Sequence, residues 1–398
     1  MKSDLLNIEK LVEEFQKLFQ EEVQREQQNL KKPNILIVGR TGVGKSSLIN
    51  AIFGSSVAKV GSGKPVTTNY EFHSSDDTLV NLYDSAGWEA GAKKEALFFE
   101  DTKKFLEQQR DVLERVHIIW YLVDSPGARF TEFDIKITKE LFKNIPLLFI
   151  LTKGDIATDE QIDSLRTAIQ EAQIQNLVDI IDVSASPLVR RGKLTCDPYG
   201  LDFVVSKTLD MLPELVSRAF IAAQIINLRL KDNEAKTIIL SFINGAFTIG
   251  FTPIPFSDAP ILIAMQATMI AKITVIYGLS KVAGLGYTVA SGLVQVPIVA
   301  LVGKGVAGFL KALPGVGTIV GGVIDATVGA LLTAALGFTT RSLFHNVVSM
   351  TLRGMFSEVT PEWAESFFQK RFQETWKIIK SLGRGKLDTF DDLDNEQK

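Results

Sequence analysis

Between Gly39 and Ser46 the chain reads Gly-Arg-Thr-Gly-Val-Gly-Lys-Ser, preceded by the apolar run Asn34–Val38 and followed by Ser47-Leu-Ile-Asn-Ala-Ile-Phe53. That order prescribes a strand, a glycine turn and a helix. Gly39, Gly42 and Gly44 admit backbone angles that turn consecutive N–H groups inward. The helix opening near Lys45 adds its positive N-terminal end, so the segment is built to hold phosphate. Lys45 is expected on the β- and γ-phosphates of a nucleoside triphosphate and Ser46 on Mg²⁺, with Thr41, Val43 and Ser47 completing the cradle. Arg40 has three destinations open to it: the phosphates, a dimer interface, or solvent.

The 398 residues suffice for two or three domains. A formal net charge of −3 names no partner, and it argues against a dedicated nucleic-acid binder, which would carry a strongly basic domain. One cysteine, Cys196, excludes an internal disulfide framework, and His73, His117 and His345 are too dispersed in sequence to suggest a metal site. Residues 1–32 carry lysine and glutamate throughout rather than a secretory signal, so a cytoplasmic protein is expected.

Leu5, Ile8, Val12, Phe15 and Phe19 recur at steps of three and four, which predicts an amphipathic helix over 1–32 in need of a partner surface. From residue 33 to 217, β-rich runs alternate with helical stretches. The strand candidates after the first are Tyr70–His73, Thr78–Tyr83, His117–Val123, Leu147–Leu151 and Val178–Val183. This pattern predicts an α/β domain with a six-stranded, mostly parallel sheet and its ligand at the carboxyl ends of the strands. Beyond it, residues 218–387 are apolar, glycine-rich and helical, and an acidic tail over 388–398 is expected to be disordered.

A phosphate loop alone does not choose the base. Asp84-Ser-Ala-Gly87 follows a strand, placing Asp84 to bind Mg²⁺ through water and Gly87 to offer its N–H to a γ-phosphate. Thr152-Lys-Gly-Asp155 follows another, and its carboxylate can accept two hydrogen bonds from guanine that adenine does not offer. The stem of Lys153 can lie along the base, and Ser184-Ala185-Ser186 ends the last strand, where a backbone N–H can meet guanine O6. Order, spacing and strand-end placement together point to GTP.

With these motifs the sequence resembles the translation-factor-related GTPases of the Era-like, TrmE-like and septin-like branch, over about residues 33–215. The resemblance implies a Ras-like fold, GTP hydrolysis, and a threonine in Val66-Thr-Thr-Asn69 that closes over Mg²⁺ and the γ-phosphate, with Thr68 favoured and Thr67 the alternative. Lys45, Thr68 and Gly87 are the catalytic candidates; Ser46, Thr68 and Asp84 are the metal candidates. Two departures bear on mechanism. Trp88 stands where many relatives have the glutamine that orients water, and Gly42 stands where potassium-activated relatives have asparagine. Residues 61–72 also hold no arginine. Slow intrinsic hydrolysis is therefore expected, stimulated by a partner or by a homodimer formed through the GTPase domain in the GTP state.

The C-terminal half reads two ways. Residues 237–280 contain two formal charges, Asp258 and Lys272, and residues 282–303 contain none, a stretch long enough for a bilayer. Lipid contact through residues 237–340, at the cytoplasmic face of a membrane, is one expectation; a buried helical bundle is the other. The segment Phe251–Gln266 resembles a domain of unknown function that follows Era-like GTPase domains and occurs in YcjF-type inner-membrane proteins. A broader similarity to immunity-related GTPases implies that the helix 1–32 joins the C-terminal helices. The helix 361–382 carries an aromatic stripe, Trp363, Phe367, Phe368, Phe372 and Trp376, expected to be core rather than an interfacial anchor. A ribosome- or RNA-assembly GTPase and a septin-like scaffold are the alternative functions, and nucleic acid is not the expected partner.

Overall fold

The computed structural model describes residues 2–54, 65–67, 70–73, 79–85, 91–109, 114–249, 258–279, 326–382 and 384–391. They gather into two compact units, Leu30–Asn227 and Met1–Asn29 with Leu228–Lys398.

The helix α1 (Lys2–Asn29) precedes the first of these units. Within it the elements run β1 (Asn34–Gly39), α2 (Lys45–Phe53), β2 (Pro65–Thr67), β3 (Tyr70–His73), β4 (Asn81–Ser85), α3 (Ala92–Gln108) and β5 (Ile118–Asp124). They continue as α4 (Glu132–Glu140), β6 (Leu147–Thr152), α5 (Asp159–Glu171), β7 (Leu177–Asp182), the hairpin β8 (Leu188–Arg190) and β9 (Lys193–Cys196), α6 (Leu201–Met211) and α7 (Glu214–Ala223). The main sheet has the order β2-β3-β4-β1-β5-β6-β7, parallel from β4 to β7 and antiparallel at β2 and β3. It holds seven strands rather than the six expected, because the short Pro65–Thr67 segment pairs at the edge. The hairpin β8–β9 was not anticipated either.

Strands β1, β5 and β6 are buried on both faces, which is why they read as unbroken apolar runs. On one face Leu36, Tyr121 and Phe149 meet Phe105 of α3, Ile137 of α4 and Leu165 of α5. On the other, Trp120 stacks on Phe53 at 5.9 Å and donates through Nε1 to Thr208 Oγ1 at 2.9 Å. Phe53 in turn meets Phe220 edge-on, and Ile225 N–H donates to Ile52 O. These contacts hold α7 in the first unit, so the boundary expected after residue 217 falls inside a helix.

The second unit contains α1, then α8 (Leu228–Ile249), α9 (Asp258–Tyr277), α10 (Ala326–Leu352) and α11 (Pro361–Leu382). The apolar side chains of α9 and α10 are buried among these helices, among them Met269, Ile273, Leu336 and Phe344. At Gly337 a Cβ would come within 2.8 Å of Ile239, so glycine there permits close packing of α10 on α8. Lys272 of α9 pairs with Glu26 of α1 at 2.6 Å. Phe368, Phe372, Trp376 and Ile379 of α11 are buried, whereas Lys370 and Lys377 are exposed, so that much of the aromatic stripe is core. The tail expected to be disordered from Asp388 is instead packed through Asp391. Phe390 stacks on Phe338 at 4.2 Å, and Asp391 pairs with Arg341 and, at 3.1 Å, with Lys236. Among the described residues no helix is long and apolar enough to cross a membrane; the stretch 282–303 lies outside them.

Candidate nucleotide site

The phosphate loop leaves the sheet at its centre. β1 lies between β4 and β5, with Ile37 opposite Asp84 and Gly39 opposite Leu122, so the loop and Asp84 emerge at the same carboxyl edge. A Cβ on Gly39 would stand 2.8 Å from Leu122 O and 2.9 Å from Val43 Cγ1, which leaves room for glycine alone. Gly42 and Gly44 take φ of 78° and 104°, the left-handed region in which glycine carries no Cβ penalty. Lys45 opens α2, and its ammonium donates to Gly39 O at 3.2 Å and Arg40 O at 3.4 Å, lying across the curl of the loop. Thr41, Ser46 and Ser47 are exposed at the mouth.

A magnesium ion fits these residues by chemistry. Ser46 offers a hydroxyl and Asp84 a carboxylate, both hard oxygen donors, and no cluster of three His, Cys, Asp or Glu exists among the described residues. Mg²⁺ takes few protein ligands and completes its shell with phosphate and water. Thr67 ends β2; Thr68, Gly87 and Trp88 lie outside the described residues.

Arg40 turns into its own domain. Its guanidinium donates to Thr131 Oγ1 at 3.2 Å and lies 3.6 Å from Asp134, with about a quarter of the side chain exposed. Asp134 is buried and accepts from Tyr121 O–H at 2.6 Å, Thr131 N–H at 2.7 Å and Thr131 O–H at 2.5 Å. Thr131 and Asp134 thus form the capping box that starts α4. Burial, and then the neighbouring Asp134 charge, hold the Tyr121 phenol well above its ordinary pKa, so it stays a donor. Sequence reasoning missed this network. Its one local signal is the Thr-x-x-Asp spacing at 131–134.

On the base side, Thr152 is buried, and its hydroxyl donates to Val43 O at 2.6 Å, with Val123 O at 3.2 Å. The threonine therefore joins the phosphate loop to the segment that presents Asp155, which lies in a single 3₁₀ turn, Gly154–Ile156. Lys153 takes a left-handed φ of 58° and pairs with Asp124 at 2.8 Å. Gly154 N–H donates to Val183 O. Ser184 exchanges both backbone hydrogen bonds with Tyr199, at 3.1 Å each, so its N–H is engaged; Ala185, half-buried, and Ser186, exposed, come next. Below them Gly200 has φ 78°, and a Cβ there would stand 2.3 Å from Asp182 O. Beside the loop, a cavity of about 310 Å³ is lined by Arg40, Gly42, Asp124, Arg129, Asp134 and Lys153 among others.

Residues 34–153 match the 50S ribosome-binding GTPase family, and residues 219–368 match a domain of unknown function, DUF697. GTPase Era of Vibrio vulnificus is 25% identical over 219 residues, covering 49% of this chain and 60% of that protein. Cell division control protein 10 of Saccharomyces cerevisiae is 30% identical over 165 residues, covering 34% and 51%. The probable GTP-binding protein EngB of Wolbachia pipientis wMel is 31% identical over 147 residues, covering 36% and 73%. The chain thus spans 60% or less of the length of these Era and cell-division relatives. Among solved structures, Era in complex with MgGDPNP and nucleotides of 16S ribosomal RNA aligns with a TM-score of 0.31 at 22% identity, over 46% of this chain and 58% of that one.

Proposed function

Since the chain carries an Era- and septin-like P-loop GTPase domain followed by a domain of unknown function, we propose that it binds GTP with Mg²⁺, hydrolyses it slowly to GDP and phosphate, and uses its helical unit as the output of that switch. The observation that carries the reading is the Thr152 hydroxyl on Val43 O, which makes phosphate loop and base-reading segment one pre-organised cradle. Asp155 accepts from guanine N1–H and the exocyclic amine, and the Lys153 stem lies along the base. The contact to O6 falls to Ala185 N–H, because that of Ser184 is held by Tyr199. The N–H groups of Gly42–Lys45 and the Lys45 ammonium hold the β- and γ-phosphates, as Arg40 is drawn away toward Asp134. Ser46 and Asp84, with Thr68 in the GTP state, would hold Mg²⁺, which when bound would neutralise phosphate charge.

Titration with a fluorescent GDP analogue, competed by GTP and by ATP, tests the nucleotide. GTP should displace the probe at micromolar concentration and ATP should not; equal displacement by both refutes the guanine assignment. Asp155→Ala should abolish the preference, and phosphate release tests hydrolysis. For the output we favour nucleotide-dependent lipid contact or self-association through residues 237–340. Liposome flotation with GDP and with a non-hydrolysable GTP analogue tests the first, and sedimentation tests the second. A chain that stays unbound and monomeric in every nucleotide state, yet retains single-stranded RNA, would move the reading to an RNA-assembly GTPase.

A further inference from the structure

The cavity beside the phosphate loop is lined by three cations, Arg40, Arg129 and Lys153. Arg40 is paired with Asp134 and Lys153 with Asp124. Arg129 is exposed and makes no ion pair or hydrogen bond among the described residues.

Its backbone, by contrast, is held on both sides. In the turn after β5, Gly127 N–H donates to the Asp124 carboxylate at 3.2 Å and Ala128 N–H to Ser125 O at 3.0 Å. Gln161 Nε2 donates to Pro126 O at 3.0 Å. Ala128 occupies the left-handed region at φ 42°, a strained conformation for a residue with a Cβ, of the kind that persists only where its surroundings over-determine it. On the other side Phe130 packs edge-on against Phe149 at 5.6 Å, and Thr131 is locked to Asp134. A fixed stem thus presents the Arg129 guanidinium beside the phosphate loop. Two carboxylates line the same cavity, Asp134 and Asp124, and they pair with Arg40 and Lys153 rather than with Arg129, so the Arg129 guanidinium is not committed to either.

We propose that Arg129 is a catalytic residue delivered in trans: across a dimer of GTPase domains it donates hydrogen bonds to the β- and γ-phosphate oxygens of GTP bound to the second copy. This rests on the GTPase reading and supplies the charge that residues 61–72, which hold no arginine, do not. In the step itself a water oxygen bonds to the γ-phosphorus and the bond to the β–γ bridging oxygen breaks. The electron pair leaves on GDP and the water's protons pass to phosphate and solvent. Arg129 forms and breaks no covalent bond; it stabilises charge as the bridge opens.

Single-turnover hydrolysis by the full chain tests this. Wild-type turnover per molecule should rise with protein concentration. Arg129→Ala should bind GTP with unchanged affinity, yet hydrolyse it about 10³-fold more slowly at high concentration. Arg129→Lys should remain impaired, because an ammonium lacks the planar fork. The deciding arm preloads Arg129→Ala with GTP labelled at the γ-phosphate and adds excess wild-type protein holding a non-hydrolysable GTP analogue, within the time the label stays bound. Accelerated release of label supports the proposal, and no acceleration overturns it. A wild-type chain that binds no GTP sinks the GTPase reading itself. One that turns GTP over at a rate indifferent to Arg129→Ala sinks only the role of the arginine.

Discussion

Asp134 is the residue on which the position of Arg40 depends, and its removal gives a measurable result. In Asp134→Ala the Tyr121 hydroxyl, fully buried, loses its acceptor, and a buried donor left unmade costs about 1–3 kcal/mol. Thr131 N–H loses the far half of the capping box, about 1 kcal/mol. The ion pair with Arg40 is 3.6 Å long and a quarter exposed on the arginine side, so it adds only a few tenths of a kcal/mol. The total is about 2–4 kcal/mol, nearly all of it local to β5 and α4. Asp134→Asn keeps an acceptor in place and should cost about 1–2 kcal/mol, chiefly the charge-assisted share of the bonds. A chain of two units does not give a single unfolding free energy, so the measurement is amide hydrogen exchange on peptides from 118–124 and 131–140. Exchange there should accelerate in the order wild type, Asn, Ala, while peptides of α8 and α10 stay unchanged. If Asp134→Ala exchanges like wild type in these peptides, the carboxylate does not hold the loop.

Thr152→Val keeps the shape of the side chain but strips the hydroxyl from Val43 O. Calorimetry should show GTP and GDP affinities falling together about tenfold, with no gain for ATP. Gly200→Ala combines a left-handed φ with a Cβ 2.3 Å from Asp182 O and should cost more than about 2 kcal/mol in the first unit, read by the same exchange measurement near 182–200. Lys231 is buried with its amine on Ile276 O at 2.8 Å, and desolvation lowers its pKa from 10.5 to about 7. Between those values the unfolded chain holds the extra proton. The helical unit should therefore gain stability as pH rises from about 7 to 10, by as much as about 4–5 kcal/mol, and should gain nothing below 7. Lys231→Met should abolish that slope in thermal melts at pH 7 and pH 9.

Much of the site was legible because strand-end motifs are local. A buried strand reads as an unbroken apolar run, and the residues next in sequence stand at the carboxyl edge of the sheet. Asp84, Thr152 and Ser184 were placed at strand ends by that rule alone, and the structure puts them there. The task of each side chain was not legible, because it is decided across the fold. The Thr152 hydroxyl is taken by a carbonyl 109 residues away, and Arg40 by Thr131, 91 residues on. Ser184 N–H goes to a Tyr199 carbonyl whose segment gave no strand signal.

The helical half failed to declare itself for a different reason. Helices apolar on every side suit both a bilayer and the centre of a bundle, and periodicity does not separate them. Among the described residues of these helices the few polar groups pair with one another. Asp232 of α8 accepts from Tyr277 of α9 and lies 2.9 Å from His345 of α10, while Lys236 of α8 and Arg341 of α10 share Asp391. Asp232 and Lys236 are one turn apart on α8, as are Arg341 and His345 on α10, so the two helices are joined along one seam, directly by Asp232 and His345 and through Asp391 by the two cations. Such pairing, half-buried at the edge of the apolar contact, favours one register of otherwise uniform apolar surfaces. The same pairing accounts for the packing of residues 388–391, the described part of a tail that reads as disordered. Phe390 and Asp391 give it one stacked ring and two cations, which outweigh the composition of the residues around them.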